Sequence, residues 1–401
     1  MYLCSIGQSL RLKTSMELLL VSHKYPPATG GMEKQSFELI KGLSLVTRVH
    51  VIVYDGKESR LRFFLKLQQR IKNMLRLHPQ ISIIHYNDGL IAAASLHHRG
   101  YKHLKRTVTF HGLDVVFPSR VFQKMIIPKF NDFDLIFAVS NATAAACVSR
   151  GIAADKVVVV KNGVDVSLPV LVDRDLVAAK LSKQHGLDFS GKKLLVAVGR
   201  PVKRKGFSWF IEKVMPLLEV DVVLLLIGPV QNNRSFATNL IQKLPSGLRH
   251  KVELFLGLPS DESALRRLLR ENNYKGKVIR TGRLPLTEMN ELIGVADAFI
   301  MPNIEVAGDM EGFGLVCLEA CMQGAKVVAA ASGGITDAIT DQQNGLLLPS
   351  GSEECWAKEL NALLSGQKKW PLTNDQAINF TIANFSWEKM SEEYFQHFSR
   401  I

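Results

Sequence analysis

A chain of 401 residues, 47% of them hydrophobic, with a mean hydropathy of +0.08, has material for two globular cores and no apolar run long enough to cross a membrane. The net charge is +13, and nearly all of the excess lies in residues 1–190, so the second half is close to neutral. Five cysteines, at positions 4, 147, 317, 321 and 355, are odd in number and show no metal-ligand spacing, which argues against a disulfide framework and a zinc site. Cys317 and Cys321 stand one helical turn apart with no second pair, and read as buried, reduced thiols.

From the start of the chain, Met1 to Ser15 carry Arg11 and Lys13 after the apolar part. A secretory leader has its positive charge first, so the expected location is cytoplasmic. Strand-like and helix-like runs then alternate. Glu17–Ser22 reads as a strand, Tyr25–Gly31 as a loop, Met32–Leu43 as a helix and Val49–Tyr54 as a second strand. Residues 57–77 follow, where Lys57, Arg60, Arg62, Lys66, Arg70, Lys72 and Arg76 alternate with large apolar residues in a basic amphipathic helix. Such a helix packs on a core through its apolar side. Its composition also suits the inner face of an anionic membrane. No nucleic-acid recognition motif accompanies it.

Further strands are expected at Ile81–Tyr86, Thr107–Phe110, Leu135–Val139 and Val157–Lys161. A polar, irregular segment from about Val166 to Lys193 suggests a domain boundary. The series restarts with Leu194–Gly199, Val222–Ile227, Val252–Leu256, Val278–Arg280, Ala298–Met301, Lys326–Ala329 and Gly345–Leu348. Two α/β units of parallel strands covered by helices follow from this pattern. In such units ligands bind beyond the carboxyl ends of the strands. That is where Tyr25–Gly31, His111, Arg200, Glu311 and the pair Gly333-Gly334 fall.

The segment Glu311-Gly-Phe-Gly-Leu-Val-Cys-Leu-Glu319 carries the most chemistry. Gly312 and Gly314 leave free N–H groups at a helix start, which attracts phosphate. The eight helical steps from Glu311 to Glu319 span about 12 Å, the scale of a nucleotide-sugar. Carboxylates accept hydrogen bonds from paired hydroxyls, so the two could hold the two ends of one such molecule. Arg200 directly follows an apolar strand and starts at the cleft, and Lys205 is a second cation for a diphosphate, while Lys203 and Arg204 are expected to face solvent. Asp114 reads as a helix N-cap, Asp165 as a turn residue and Ser140 as the cap of a helix over Asn141–Ser149. No Asp-x-Asp pair suggests a metal-bridged diphosphate, so no metal and no cofactor are expected.

Taken in order, Pro26-Pro-Ala-Thr-Gly-Gly31, Phe110-His-Gly-Leu-Asp114, Val139-Ser140, Asn162-Gly-Val-Asp165, Gly199-Arg200 with Arg204-Lys205-Gly206, Glu311-Gly-Phe-Gly with Leu318-Glu319-Ala, Gly333-Gly334 and Asn344-Gly345 resemble the retaining glycosyltransferases of family GT4. The resemblance covers roughly Glu17 to Phe395. It implies the GT-B fold, two Rossmann-like doubly wound domains facing across a cleft. Residues 1–180 would form the acceptor-side domain, with a helix over 386–401 packing back on it, and 181–385 the nucleotide-sugar donor domain. It implies donor contacts from Gly30, Gly31, Arg200, Lys205, Glu311, Gly312, Phe313, Gly314 and Glu319, with His111 beside the donor sugar. Glu319 would bind the ribose, Glu311 the sugar, and Arg200 and Lys205 the diphosphate. Transfer would retain the anomeric configuration through front-face attack, and the acceptor would be a glycan or lipid-linked molecule of the cell envelope. A GT-B epimerase or phosphorylase, and a catalytically inactive scaffold on a membrane surface, are the competing classes. No Gly-x-Gly-x-x-Gly follows the first strand, which argues against a dehydrogenase.

Overall fold

The computed structural model describes residues 16–167, 173–185, 191–230, 244–245, 247, 249, 252–254, 258, 260–270, 274 and 276–401. Met1 to Ser15 and part of the expected boundary segment lie outside them. Among the described residues, twelve strands form two separate parallel sheets of six.

The first sheet holds β1 (Glu17–Ser22), β2 (Arg48–Val53), β3 (Ile81–Tyr86), β4 (Lys105–Phe110), β5 (Leu135–Ala138) and β6 (Val157–Val159), in the order β2-β1-β3-β4-β5-β6. The second holds β7 (Lys193–Val198), β8 (Val222–Ile227), β9 (Val278–Gly282), β10 (Ala298–Met301), β11 (Val327–Ala331) and β12 (Leu346–Pro349), in the order β12-β11-β10-β7-β8-β9. All pairings are parallel, and strands such as Val222–Ile227 are buried along their whole length. Helices cover both faces of such a sheet, so its strands need no polar alternation.

Each order reverses once. The chain leaves β1 for β2 on one side and returns to β3 on the other, and it likewise builds β7-β8-β9 before β10 starts outward on the opposite side. A crevice opens at each reversal, where successive loops part. The loops after β1, β3, β7 and β10 therefore flank the places where a ligand fits.

The strand expected at Val252–Leu256 is not a strand over its described residues; 255–256 lie outside them. Residues 252–254 are helical. β8 already has β9 as its neighbour, with Leu224 paired to Val278 and Ile227 to Gly282, so no strand intervenes between them. A short apolar run does not by its spacing alone distinguish strand from buried helix.

The Arg60–Leu77 helix is capped by Ser59, whose hydroxyl accepts from the Arg62 amide, and it buries Phe63, Leu67 and Ile71. Its outer face leaves Leu61 and Leu65 71% and 76% exposed among Arg and Lys. No helix among the described residues is long and apolar enough to cross a membrane.

The lobes share apolar contacts. Phe313, Leu315 and Leu318 from the second lobe are buried in one cluster with Leu18, Leu20 and Leu39 from the first and with Trp387 and Tyr394 near the C-terminus. The chain crosses back at Val164 and Ser386, which form an isolated parallel bridge, and Val164 N–H donates to the Phe385 carbonyl at 2.9 Å. The Trp387–Phe398 helix then packs on the first lobe. Tyr394 stacks on Phe137 at 4.3 Å, and its hydroxyl lies 2.8 Å from that of Thr109.

Candidate functional site

At the reversal of the second sheet, the loop after β7 carries Arg200, Arg204 and Lys205, and the loop after β10 carries Asn303, Asp309 and Glu311. Glu311 Oε2 lies 2.9 Å from Lys205 Nζ and 3.3 Å from Arg204 Nε, and it accepts from Asn303 Nδ2 at 3.2 Å. Burial alone would raise the pKa of this carboxyl, but the charges of Lys205 and Arg204 and the hydrogen bonds from Lys205 and Asn303 hold it down at about 2. Arg204 also binds both oxygens of Asp309, at 3.1 and 3.2 Å, and these two carboxylates overcome the burial that would lower its pKa. Arg200 is exposed and sits within electrostatic reach of Arg204, Glu311, Glu33 and Asp309.

Arg204 therefore does not face solvent, as the sequence had suggested. Its side chain is 15% exposed and forms one wall of the charged cluster, while Lys203 stays outside. The short 3-10 turn over Lys203–Lys205 ends in Gly206, whose left-handed backbone (φ 66°) lets Arg204 and Lys205 both reach Glu311. Asn303, Asp309 and Arg204 were missed in the sequence. Asp309, two residues before Glu311, was the available signal.

The Leu315–Met322 helix begins at Gly314, which adopts a left-handed backbone (φ 91°) that only glycine takes without strain. Phe313 has its ring buried 6.3 Å from Phe385, so the side chain belongs to the interlobe core. The turn is clamped from two sides. A Cβ at Gly334 would fall 2.0 Å from the Gly312 carbonyl oxygen, and one at Gly312 would fall 1.8 Å from the His111 carbonyl oxygen. The second contact joins the lobes through backbone alone.

From the first lobe, Gly30 ends the loop after β1 in extended backbone and caps the Gly31–Ser44 helix. Gly31 faces the start of the Leu315–Met322 helix, since a Cβ there would lie 3.9 Å from Leu315 Cδ2. His111 follows β4. Its Nε2 lies 2.9 Å from the Asn87 carbonyl, which only accepts, so Nε2 carries a proton. Asp114 accepts from the His111 and Gly89 amides at 2.9 and 3.0 Å. It ties two loops together and is not the cap of the following turn, which is Gly112. Ser140 does cap its helix, Asn141–Val148, accepting from Thr143 N–H.

Glu319 lies on the Leu315–Met322 helix, one oxygen 2.9 Å from Lys34 Nζ of the first lobe. The same ammonium is 2.9 Å from Asp165, whose other oxygen accepts from Trp387 Nε1 at 3.0 Å. Asp165 is thus part of the seam and more than a turn residue. Nothing in the local sequence marks Lys34, because its partners lie far away in the chain.

The site combines a buried anion ringed by cations, an exposed arginine, a glycine-flanked helix start and a second carboxylate further along that helix. Such an array fits a ligand with a diphosphate between two hydroxyl-bearing ends.

Two family models match the chain. "Glycosyl transferases group 1" covers residues 179–379 and "Glycosyltransferase Family 4" covers residues 16–168. Among curated relatives, the putative colanic acid biosynthesis glycosyltransferase WcaL of Escherichia coli is 24% identical over 77% of this chain and 66% of its own. A D-inositol 3-phosphate glycosyltransferase of Corynebacterium aurimucosum is 28% identical over 58% of this chain and 48% of its own. The chain thus spans less than two thirds of the length of these relatives. Among solved structures, Anabaena Alr3699/HepE in complex with UDP and glucose has a TM-score of 0.67 at 20% identity, over 96% of this chain and 100% of that one. The sucrose-phosphate synthase of Thermosynechococcus elongatus has a TM-score of 0.70 at 19% identity, over 96% and 98%. The two facing Rossmann-like sheets are those of the GT-B fold.

Proposed function

The chain belongs to the glycosyl transferases group 1 family, and from that premise we propose that it moves a sugar from a nucleoside-diphosphate donor to a glycan or lipid-linked acceptor, with retention of configuration. One observation carries this: at the reversal of the second sheet Lys205 pairs with Glu311, Arg200 stands within electrostatic reach of the same carboxylate, and Glu319 follows on the same loop-to-helix unit.

In this proposal the donor diphosphate lies between Arg200, Lys205 and the amides at the start of the Leu315–Met322 helix. Fixed cations and N–H dipoles stabilise the charge that grows on the leaving diphosphate as the sugar–oxygen bond breaks. Those groups supply the positive charge themselves, so no metal is needed in the scheme. Glu311 is ionised and fixed by Lys205 and Asn303. It accepts hydrogen bonds from donor-sugar hydroxyls, and Glu319 does the same for the ribose. The His111 carbonyl and imidazole lie on the acceptor side, next to the backbone contact with Gly312. The acceptor hydroxyl attacks from the face the diphosphate leaves, and its proton passes to a departing phosphate oxygen. We place the division between the acceptor and donor domains at residue 180, with residues 386–401 returning to the first.

The relatives named for colanic acid and inositol phosphate support an envelope polysaccharide or glycolipid as product. The exposed Leu61 and Leu65 on a basic helix support a peripheral position on an anionic membrane. The test is a panel of UDP-, GDP-, ADP- and dTDP-sugars, scored for nucleotide binding and for release of nucleoside diphosphate with and without acceptor lipids. Binding and turnover with one donor are expected. No binding and no release across the panel would leave an inactive scaffold as the better account.

A further inference from the structure

Lys34 stands on the second lobe's carboxylate from the first lobe. Its Nζ is 2.9 Å from Glu319 Oε1 and 2.9 Å from Asp165 Oδ2, and it lies 5.9 Å above the Trp387 ring. Trp387 Nε1 in turn holds the other oxygen of Asp165. One ammonium thus joins the Gly31–Ser44 helix, the crossing segment near Val164 and the Leu315–Met322 helix. Burial pulls the Lys34 pKa down, but Glu319 and Asp165 more than offset this and leave it raised, so the charge is secure at neutral pH. The side chains of Lys34 and Glu319 are 28% and 25% exposed. An ordinary pair so exposed contributes little to stability. Its placement on the carboxylate assigned to the ribose gives it another use.

We propose that Lys34 is a positioning residue that fixes Glu319 for a ribose diol and couples nucleotide binding to the apposition of the two lobes. An ionised carboxylate only accepts, and it has about four lone-pair sites on its two oxygens. Lys34 takes one of them on Oε1, and among the described residues no hydrogen bond reaches Oε2. Oε2 is therefore left to the vicinal hydroxyls. The ammonium holds the carboxylate in one orientation, so its free oxygen is presented to the hydroxyls. Because Lys34 comes from the opposite lobe, opening the cleft removes it from Glu319, and a ribose on Glu319 favours the closed seam.

This inference rests on the donor-site assignment above, so its test compares a ribonucleoside diphosphate with its 2′-deoxy analogue. Binding of both to the full chain is measured by calorimetry for the wild type, Lys34→Ala and Lys34→Arg, using the nucleotide that the donor panel selects. The wild type should prefer the ribonucleotide. Lys34→Ala should weaken its binding about tenfold, the size expected for disturbing a charge-assisted hydrogen bond. It should leave the deoxy analogue nearly unchanged, so the preference collapses. Lys34→Arg should restore most of it. A general loss of packing would weaken both ligands alike and leave the preference intact, which would overturn the inference, as would unchanged or tighter binding by Lys34→Ala. If Lys34→Ala does not fold, Lys34→Gln takes its place in the same comparison. A wild type that binds no nucleotide overturns the donor-site assignment itself. A wild type that binds and discriminates, with a Lys34 variant that does the same, overturns only the role of Lys34.

Discussion

At the reversal of the first sheet the cleft is lined by a glycine loop, by His111 and by backbone carbonyls. At the reversal of the second it is lined by Arg200, Arg204, Lys205, Asp309 and Glu311. The scaffold is the same in both, six parallel strands with one change of direction. The interiors differ too. The first lobe buries one histidine–carboxylate pair, His23 and Asp88 at 2.7 Å, beside a neutral network in which His85 bonds Thr107 at 2.8 Å and Asn87 at 3.2 Å, and Asn87 bonds Gln35 and Ser36 at 2.6 and 2.7 Å. The second gathers Arg204, Lys205, Asp309 and Glu311 at the cleft, paired with one another. On the proposed function, the less charged surface would take the acceptor hydroxyl and the charged one the leaving diphosphate, a difference carried by loops at equivalent strand ends.

This contrast can be broken most forcefully at Glu311. Glu311→Ala should leave Arg204 and Lys205 short of a partner in a largely buried place, cost about 3 kcal/mol of stability and lower turnover about a thousandfold. Denaturant unfolding and initial rates measure the two losses, and Glu311→Gln should recover part of the first only. Next in size is the backbone contact between the lobes. Gly312→Ala would set a methyl group 1.8 Å from the His111 carbonyl oxygen, so the lobes must shift. A displacement of that order should cost about a hundredfold in turnover with little change in melting temperature. Activity within tenfold of the wild type would show that the neutral and charged faces need not meet at this point.

Acid separates the two interiors. Burial lowers the His85 pKa from 6.5 to about 3. Below pH 6.5 the unfolded chain binds a proton there that the folded chain refuses until about pH 3, so stability falls as pH drops through that window. The slope should approach about 1.4 kcal/mol per pH unit, and His85→Gln should flatten it. Glu311 acts lower. Its contribution is complete above 4.5 and is lost as pH falls towards about 2. Amide exchange by segment should therefore show the first lobe loosening in mild acid, before the second. Simultaneous loosening would remove the contrast. The smallest effect is expected on the outer helix. Leu65→Ser should change stability by no more than about 0.5 kcal/mol, because the side chain is exposed. It should still reduce flotation with anionic vesicles, and equal flotation would remove the membrane from the account.

Much of this was legible in the chain. Buried parallel strands are continuous apolar runs, so Glu17–Ser22, Ile81–Tyr86 and Val222–Ile227 appear at the same bounds in sequence and structure. Glu311, Lys205 and Arg200 are legible as candidates because each sits at a fixed step after a strand or before a glycine-opened helix, and the structure places them at one sheet reversal. Val252–Leu256 was misjudged because a short apolar run takes its state from the neighbours available to it, and β8 had already paired with β9. Arg204 was misjudged because a basic run does not say which member turns inward; the Lys203–Lys205 turn and the carboxylates of Asp309 and Glu311 decide that.

By itself the sequence determined the alternation of strands and helices, the two-lobed α/β class and the glycine-flanked carboxylate segment, all of which depend on spacing along the chain. Tertiary structure alone decided that Lys34 meets Glu319 and that Gly312 touches His111. It also decided that Asp165 is held by Trp387. These partners are separated by up to 285 positions, and local periodicity carries no information about which distant surfaces will meet once both cores have formed.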